Sequence, residues 1–516
     1  MSTDAGGVAF TYAADAIRAA EEPLLADGGD ARLMARAADA IAAEATAMLH
    51  SRGGEVRGSA IVLLVGTGKN GGDALLAGAR LARSGAEVTA VLTGSTAHEA
   101  GLLELRDAGG TVVELGLGPA PSAEALHATT GAELIIDGIA GLGAMPGLRS
   151  PADGLVAALP PRIPILAVDL PSGLAADSEE ASLPHVMADV TVTFSALKRC
   201  LVLPPAALAA GRVVIADLGI PLPSPVADAV RRLTISGAAA LWPVPGATDD
   251  KYSRGVLGVV AGSEAYPGAA VLTCSAAVRA GAGMVRYVGP SRAADLVLAA
   301  RPEVVTHAPS ENALPRVDAW VLGPGITGDA EQEAFAAVAH GSGVACVVDA
   351  GAVEACAMAR ASGERPTTSD RILLTPHIGE LARALTACGR PTTREAVAAD
   401  PLSSARVLAT LSDATVLLKG AVTLVVTPDG STWSQAEASP WLATAGSGDV
   451  LAGIAGALLA AGLPADQAGA LAALIHGLAG VRASDGGPIA AADIAEALPA
   501  FIEALQEAIS GVLRSA

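Results

Sequence analysis

The chain has 516 residues, too many for one ordinary core, so two domains are expected. Hydrophobic residues make up 51% and charged residues 17%, which excludes a largely disordered chain; aromatics are only 2%, so the cores must be built from Ala, Val, Leu and Ile, as suits helices packed on parallel strands. A net charge of −20 argues against nucleic-acid binding but leaves nucleotide binding open, because backbone amides hold phosphate without a basic surface.

The N-terminus has no basic segment followed by an apolar run, so no signal peptide is expected and the cytoplasm is the expected location. Residues 8–49 read as two helices broken near Asp27, Gly28, Gly29 and Asp30, with Leu33, Ala37, Ile41 and Ala45 at helical spacing. Residues 61–65 are a continuous apolar run, the mark of a central strand. Gly66, Thr67, Gly68, Lys69, Asn70, Gly71, Gly72 and Asp73 follow, then a helix over 74–83 and a strand over 87–92. Strand, glycine turn, helix, strand is a βαβ unit of the dinucleotide-binding kind. The strand at 134–136 ends at Asp137, with Gly141, Leu142 and Gly143 after it. That at 165–168 ends at Asp169, Leu170, Pro171, Ser172 and Gly173, and that at 190–194 ends near Lys198. Ligands of open parallel sheets sit at the carboxyl ends of strands, and Asn70, Asp73, Asp137, Asp169 and Ser172 fall at such ends. Residues 213–216 close this domain, and the proline-rich stretch 219–225 reads as a linker between domains at 1–222 and 235–516.

A second α/β pattern follows. The strand at 256–260 leads through Ala261, Gly262 and Ser263 to a helix at Tyr266, Pro267, Gly268 and Ala269. Strands at 319–322, 345–348 and 372–374 run into Gly323-Pro324-Gly325, Asp349, and Thr375-Pro376-His377-Ile378-Gly379-Glu380. The strand at 415–418 ends at Lys419 and Gly420, and 423–426 is the return strand of a hairpin. Residues 450–465 are apolar, but a membrane span needs about 20 such residues and Pro464 interrupts them, so a buried helix is predicted. Cys200, Cys274, Cys346, Cys356 and Cys388 form no CxxC pair and read as free, mostly buried thiols.

Gly446, Ser447, Gly448 and Asp449 precede that apolar helix. Small residues let a backbone approach a ligand, and a helix start binds phosphate through its unpaired N–H groups. A carboxylate beside an anion site suits proton removal from a hydroxyl next to the phosphate. The bland alternative is a helix cap with no ligand. Similarly, His377 alone reads as a structural histidine and Lys419 alone as a solvated strand end.

The N-terminal half resembles the NAD(P)H-hydrate epimerases. The resemblance rests on Asn70-Gly71-Gly72-Asp73, on Asp137 with Gly141-Leu142-Gly143, on Asp169-Leu170-Pro171-Ser172-Gly173, and on the opening Leu33-Met34-Ala35-Arg36-Ala37. The C-terminal half resembles the ADP-dependent NAD(P)H-hydrate dehydratases, which have a ribokinase-like fold. That resemblance rests on Tyr266 to Ala269, Gly323 to Gly325, the Thr375 to Glu380 run, Lys419 and Gly420 with Thr423, and Gly446 to Asp449. Together the halves are similar to the bifunctional NAD(P)H-hydrate repair enzymes. The implied fold is two three-layer α/β/α domains, Rossmann-like then ribokinase-like.

By this resemblance, Asn70, Asp137 and Ser172 bind a potassium ion (K+), for which oxygen ligands are suited. Lys69, Asn70, Gly71, Gly72, Asp73, Gly141, Leu142, Gly143, Ala144, Met145, Pro146, Gly147 and Asp169 contact the hydrated dinucleotide, with Asp169 as acid or base. Lys69 stands where a second Asn is usual in the family. In the other half, Ala269, Gly325, His377 and Asp449 line the substrate site, with Asp449 as base. Lys419, Gly420, Ala421, Val422, Thr423 and Gly448 hold the nucleotide. Asp349-Ala350-Gly351 departs from a common Asp-Ala-Asp, and Asp349 is assigned no role. The implied substrates are NADH and NADPH hydrated at C6 (NADHX and NADPHX), with ADP as co-substrate and a magnesium ion (Mg2+) on its phosphates. ADP follows from the bacterial type of fusion, and a homo-oligomer is expected. Two rival readings are an ordinary ribokinase-like kinase for a vitamin precursor, and an N-terminal half that is a non-catalytic binding module. The His377 run counts against the first, and Asn70, Asp73, Asp137 and Asp169 against the second.

Overall fold

The computed structural model describes residues 7–26, 29–116, 120–309 and 314–515. It divides into two compact units, Ala9–Ala229 and Val230–Ala516, the second also taking the stretch that ends at Val8.

The first unit is built on a seven-stranded sheet, parallel throughout. Its spatial order is Thr111–Glu114, Glu87–Leu92, Ala60–Val65, Leu134–Gly138, Ile165–Val168, Val190–Phe194 and Arg212–Ala216. Successive side chains of a strand face opposite ways, and Ala60–Val65 shows both faces covered. Ile61, Leu63 and Val65 pack with Leu33, Ala37 and Ile41 of the helix Asp30–Ser51. Val62 and Leu64 pack on the other side with Val113 and Leu155. Burial on both faces is why these strands are plain apolar runs. The strand order reverses between Ala60–Val65 and Leu134–Gly138, which opens a crevice beyond their carboxyl ends.

The second unit holds an eleven-stranded sheet. Seven of its strands, Thr415–Leu418, Ile372–Leu374, Ala345–Val348, Ala319–Leu322, Val256–Val260, Met284–Val288 and, at the edge, Val305–His307, are parallel. Thr423–Val426 and Thr432–Gln435 add antiparallel strands, so the expected hairpin forms. Here the order reverses between Val256–Val260 and Ala319–Leu322.

Several local expectations are corrected. Val8–Phe10 is not helical but an edge strand, and Thr234 N–H donates to the Gly7 carbonyl at 3.1 Å within the second unit. Three residues are too few to show a period, so pairing decides their state. Of the predicted helix break, Asp27 and Gly28 lie outside the described residues, and Gly29 caps the second helix. The helix predicted over 74–83 begins five residues earlier, as Lys69–Arg83, with extended Gly68 as its cap. Its glycines are needed for packing, since a Cβ on Gly71 would collide with the Gly66 carbonyl. The apolar run after Asp449 is helical only as Ser447–Ala460, and stops before Gly462 (φ 95°) and Pro464. Thr111–Glu114, Arg231–Leu233, Met284–Val288, Val305–His307 and Thr432–Gln435 are strands that periodicity does not reveal.

The cysteines are free; Cys200, Cys274, Cys346 and Cys356 are buried, and Cys388 is partly exposed. Among the described residues, no helix is long and apolar enough to cross a membrane.

Candidate functional site

In the first unit a cavity of about 660 Å³ lies at the crevice where the strand order reverses. Its wall includes Lys69, Asn70 and Asp73 from one side, Gly141, Leu142, Gly143 and Ala144 from another, and Asp169 with Lys198. Met145, Pro146 and Gly147 do not line it, and Met145 is exposed. Gly71 and Gly72 lie within the helix packing rather than on the wall; a Cβ on Gly72 would meet Met34 Cε at 2.6 Å. Lys69 Nζ bonds Asp30 Oδ1 at 2.7 Å on the exposed rim.

Asn70, Asp137 and Ser172 lie around the loop that carries Gly141. Asn70 donates its amide to the Val168 carbonyl at 2.6 Å, which leaves its Oδ1 against the Gly141 backbone. Asp137, fully buried, accepts from Ser172 Oγ at 2.7 Å, from Ser172 N–H at 2.8 Å and from Ile139 N–H at 3.2 Å. Burial raises the Asp137 carboxyl to about 6, against the pull of those hydrogen bonds. Asn70, Asp137 and Ser172, far apart in sequence, thus border one loop, 138–141.

Asp169 stands at φ 67°, in the left-handed region that non-glycine residues seldom adopt. That turn aims its carboxylate at Lys198, whose Nζ lies 2.5 Å from Asp169 Oδ1 and also donates to Thr193 Oγ1 and the Phe194 carbonyl. Both side chains are buried, Lys198 at 1% exposure and Asp169 at 6%. A buried ammonium needs such a set of acceptors.

In the second unit, Lys419 organises the site. Its Nζ lies 2.6 Å from Asp349 Oδ1 and 3.7 Å from Glu380 Oε2. Asp349 Oδ1 also accepts from Thr375 Oγ1 at 2.8 Å, and Glu380 Oε2 from the His377 N–H at 2.8 Å. Asp349, Glu380 and Asp449 together keep the Lys419 ammonium above its ordinary value, against the effect of burial, which alone would lower it. Asp449 sits in the first turn of the helix Ser447–Ala460. Burial, and then the charge of Asp349, raise its carboxyl to about 7, with Lys419 opposing. A carboxylate poised near neutrality can accept a proton at working pH.

The glycines of this turn have different tasks. Gly446 has φ 87°, and a Cβ on it would strike Leu272, so conformation and packing both require glycine. A Cβ on Gly448 would meet only Lys419 Nζ at 3.4 Å, so the fold tolerates a side chain there. Gly325, at φ 67°, packs against Ala269 and the Tyr266 carbonyl. His377 is a helix cap: its Nδ1 accepts from Gly379 N–H at 3.0 Å and Glu380 N–H at 3.2 Å, and Glu380 closes a capping box. Gly420 and Ala421 are exposed at the hairpin turn, Val422 is buried, and Thr423 opens the return strand.

Residues 30–200 match the family model described as YjeF-related protein N-terminus, and residues 257–500 match that described as NAD(P)H-hydrate dehydratase. Over 464 residues the chain is 42% identical to the bifunctional NAD(P)H-hydrate repair enzyme Nnr of Mycobacterium tuberculosis (strain CDC 1551 / Oshkosh), covering 89% of this chain and 91% of that one. The chain belongs to the bifunctional NAD(P)H-hydrate repair enzyme family. It is also 40% identical to the Nnr of Mycobacterium leprae (strain TN) over 482 residues, covering 92% and 95% of the two chains. The NAD(P)H-hydrate epimerase of Clavibacter sepedonicus is 40% identical over 245 residues, 44% of this chain and all of that one.

For this member of the repair-enzyme family, sequence reasoning left three site residues without a role: Lys198, Asp349 and Glu380. Glu380 was within reach, since it stands three residues after the capping His377. Lys198 and Asp349 carry no local signal, because their partners are 29 and 70 residues away.

Proposed function

We propose that the second unit dehydrates the S form of hydrated NADH and NADPH with ADP as phosphoryl donor, and that the first unit interconverts the R and S forms. The observation that carries the reading is Asp449, raised to about 7 beside Lys419 in the first turn of a helix whose start has no side-chain cap. Asp449 takes the proton of the C6 hydroxyl as its oxygen attacks the terminal phosphoryl group of ADP, and AMP leaves. The ring nitrogen then expels phosphate, and loss of a C5 proton restores the double bond. Lys419 and the helix amides after Gly446 balance the charge on the transferring group.

Among the described residues, no group of three or more His, Cys, Asp or Glu side chains is placed to hold a metal ion. A magnesium ion bound with ADP would screen the charge of its phosphates. In the first unit, Asn70, Asp137 and Ser172 supply an oxygen-only donor set, which suits potassium. An ion held there adds fixed positive charge.

The direct test is whether the full chain clears hydrated NADH when ADP is present, releasing one phosphate per turnover. Clearance without ADP, or a stable phosphorylated product, would reject the reading. Gly448→Val is expected to fold as the parent does and to weaken ADP binding first, measured by calorimetry, because the side chain occupies the path of phosphate to the helix amides. Asp137→Ala is expected to blunt the potassium dependence of epimerisation while dehydration of the S form stays at the parent rate. Equal loss of both activities in a chiral assay would remove the assignment.

A further inference from the structure

On the wall of the first cavity, Asp73 Oδ1 is a buried carboxyl oxygen without a hydrogen-bond partner among the described residues. It lies in the second turn of the helix Lys69–Arg83 and is only 6% exposed. An unpartnered buried carboxyl oxygen is destabilising, which a purely structural residue has no reason to bear. Asp169 lies on the wall of the same cavity and is tied to Lys198. Five charged groups surround Asp73 or its partner: Lys69 on its own helix, Asp30 and Glu21 from the preceding helices, Asp169 after Ile165–Val168, and Lys198 beyond Val190–Phe194.

We infer that Asp73 and Asp169 act as an acid–base pair on one substrate ring, Asp73 giving a proton to the ring nitrogen while Asp169 takes one from the C6 hydroxyl. This rests on the epimerase reading of the first unit. The hydrated carbon is a hemiaminal, bonded to both the hydroxyl oxygen and the ring nitrogen. As Asp169 removes the hydroxyl proton, a carbonyl forms at C6 and the C6–N bond breaks. Its electron pair goes to nitrogen, which takes the proton of Asp73. The freed aldehyde turns about the C5–C6 bond and presents its other face. Nitrogen attacks again, Asp169 returns its proton to oxygen, and the N–H proton returns to Asp73. Atoms and electrons balance with no co-reactant, and the product is the other epimer. The surroundings set the two roles apart: burial, and then the charge of Asp169, hold the Asp73 carboxyl well above the usual range, so it carries the proton at the start.

Two measurements on the full chain test this. In the first, Asp73→Asn is assayed for conversion of the R form, with its thermal melt against the parent's as the control for folding of the first unit and ADP-dependent dehydration of the S form as the control for the second. Epimerisation is expected to fall by about 10²–10⁴-fold, with dehydration at the parent rate. Epimerisation at the parent rate would overturn the inference. The second needs no variant. In ¹⁸O-water, opening and reclosure keep the original C6 oxygen, whereas loss and re-addition of water insert solvent oxygen at every turnover. Retention is expected, and full incorporation would overturn the inference even if Asp73→Asn does not fold. A parent chain that epimerises nothing would instead refute the epimerase reading itself.

Discussion

Asp449→Asn is expected to lower the turnover of ADP-dependent dehydration by about 10²–10⁴-fold, the usual worth of a positioned acid–base group. Asparagine keeps the size of the side chain but cannot accept the proton. ADP affinity should hold or rise slightly, because a negative charge beside the phosphates is gone. The parent rate should climb with pH through about 7, where Asp449 loses its proton, and the variant should show no such limb. Stability should move the other way. The folded chain holds the Asp449 proton up to about 7, whereas the unfolded chain releases it near 3.8, the ordinary value of an aspartate. Between those values the unfolded state binds fewer protons, so this residue's contribution falls as pH rises. Removing the titration should therefore leave Asp449→Asn more stable than the parent at pH 8 and indistinguishable from it at pH 3.5. Thermal melts at both values and single-turnover kinetics check the two halves of this expectation. Turnover near the parent rate would end the base assignment.

Lys198→Met should be the most damaging single change in the first unit. Lys198 is 1% exposed and Asp169 6%, so the variant leaves a carboxylate buried without its cation. Breaking such a pair typically costs about 3–5 kcal/mol, a large fraction of a domain's stability. Epimerisation should vanish while ADP-dependent dehydration by the second unit continues. The double variant Lys198→Met with Asp169→Asn separates the two effects. Removing both charges while keeping a residue that tolerates φ 67° should recover much of the lost stability without recovering activity. A single variant that melts with the parent, followed by calorimetry, would show that the pair does not hold the fold.

The central strands were legible because each carries its own signal. Val256–Val260 and Ala345–Val348 are buried at every residue, and that burial is written as an unbroken apolar run. Met284–Val288 was missed because Arg286 interrupts its run, and Thr111–Glu114 because an edge strand keeps polar residues on its open side. The glycine-rich motifs could be located, but their geometry could not be drawn. Lys69 to Asp73 reads as a loop and is the start of a helix, since Gly71 and Gly72 are kept for close packing rather than for a turn.

By itself, then, the sequence determined the two α/β halves, the strands buried on both faces, and the positions of the motifs that carry the family. Each is local: a run of a few residues and the chemistry within it suffices. Only the tertiary structure decided which charges meet. Lys198 reaches Asp169 across 29 residues, and Lys419 reaches Asp349 across 70, while Asp73 is brought to the Asp169 cavity from a different strand end. The physical reason is that a buried charge is defined by its partner and by the exclusion of water, and both come from parallel strands that the chain lays side by side only after long crossovers.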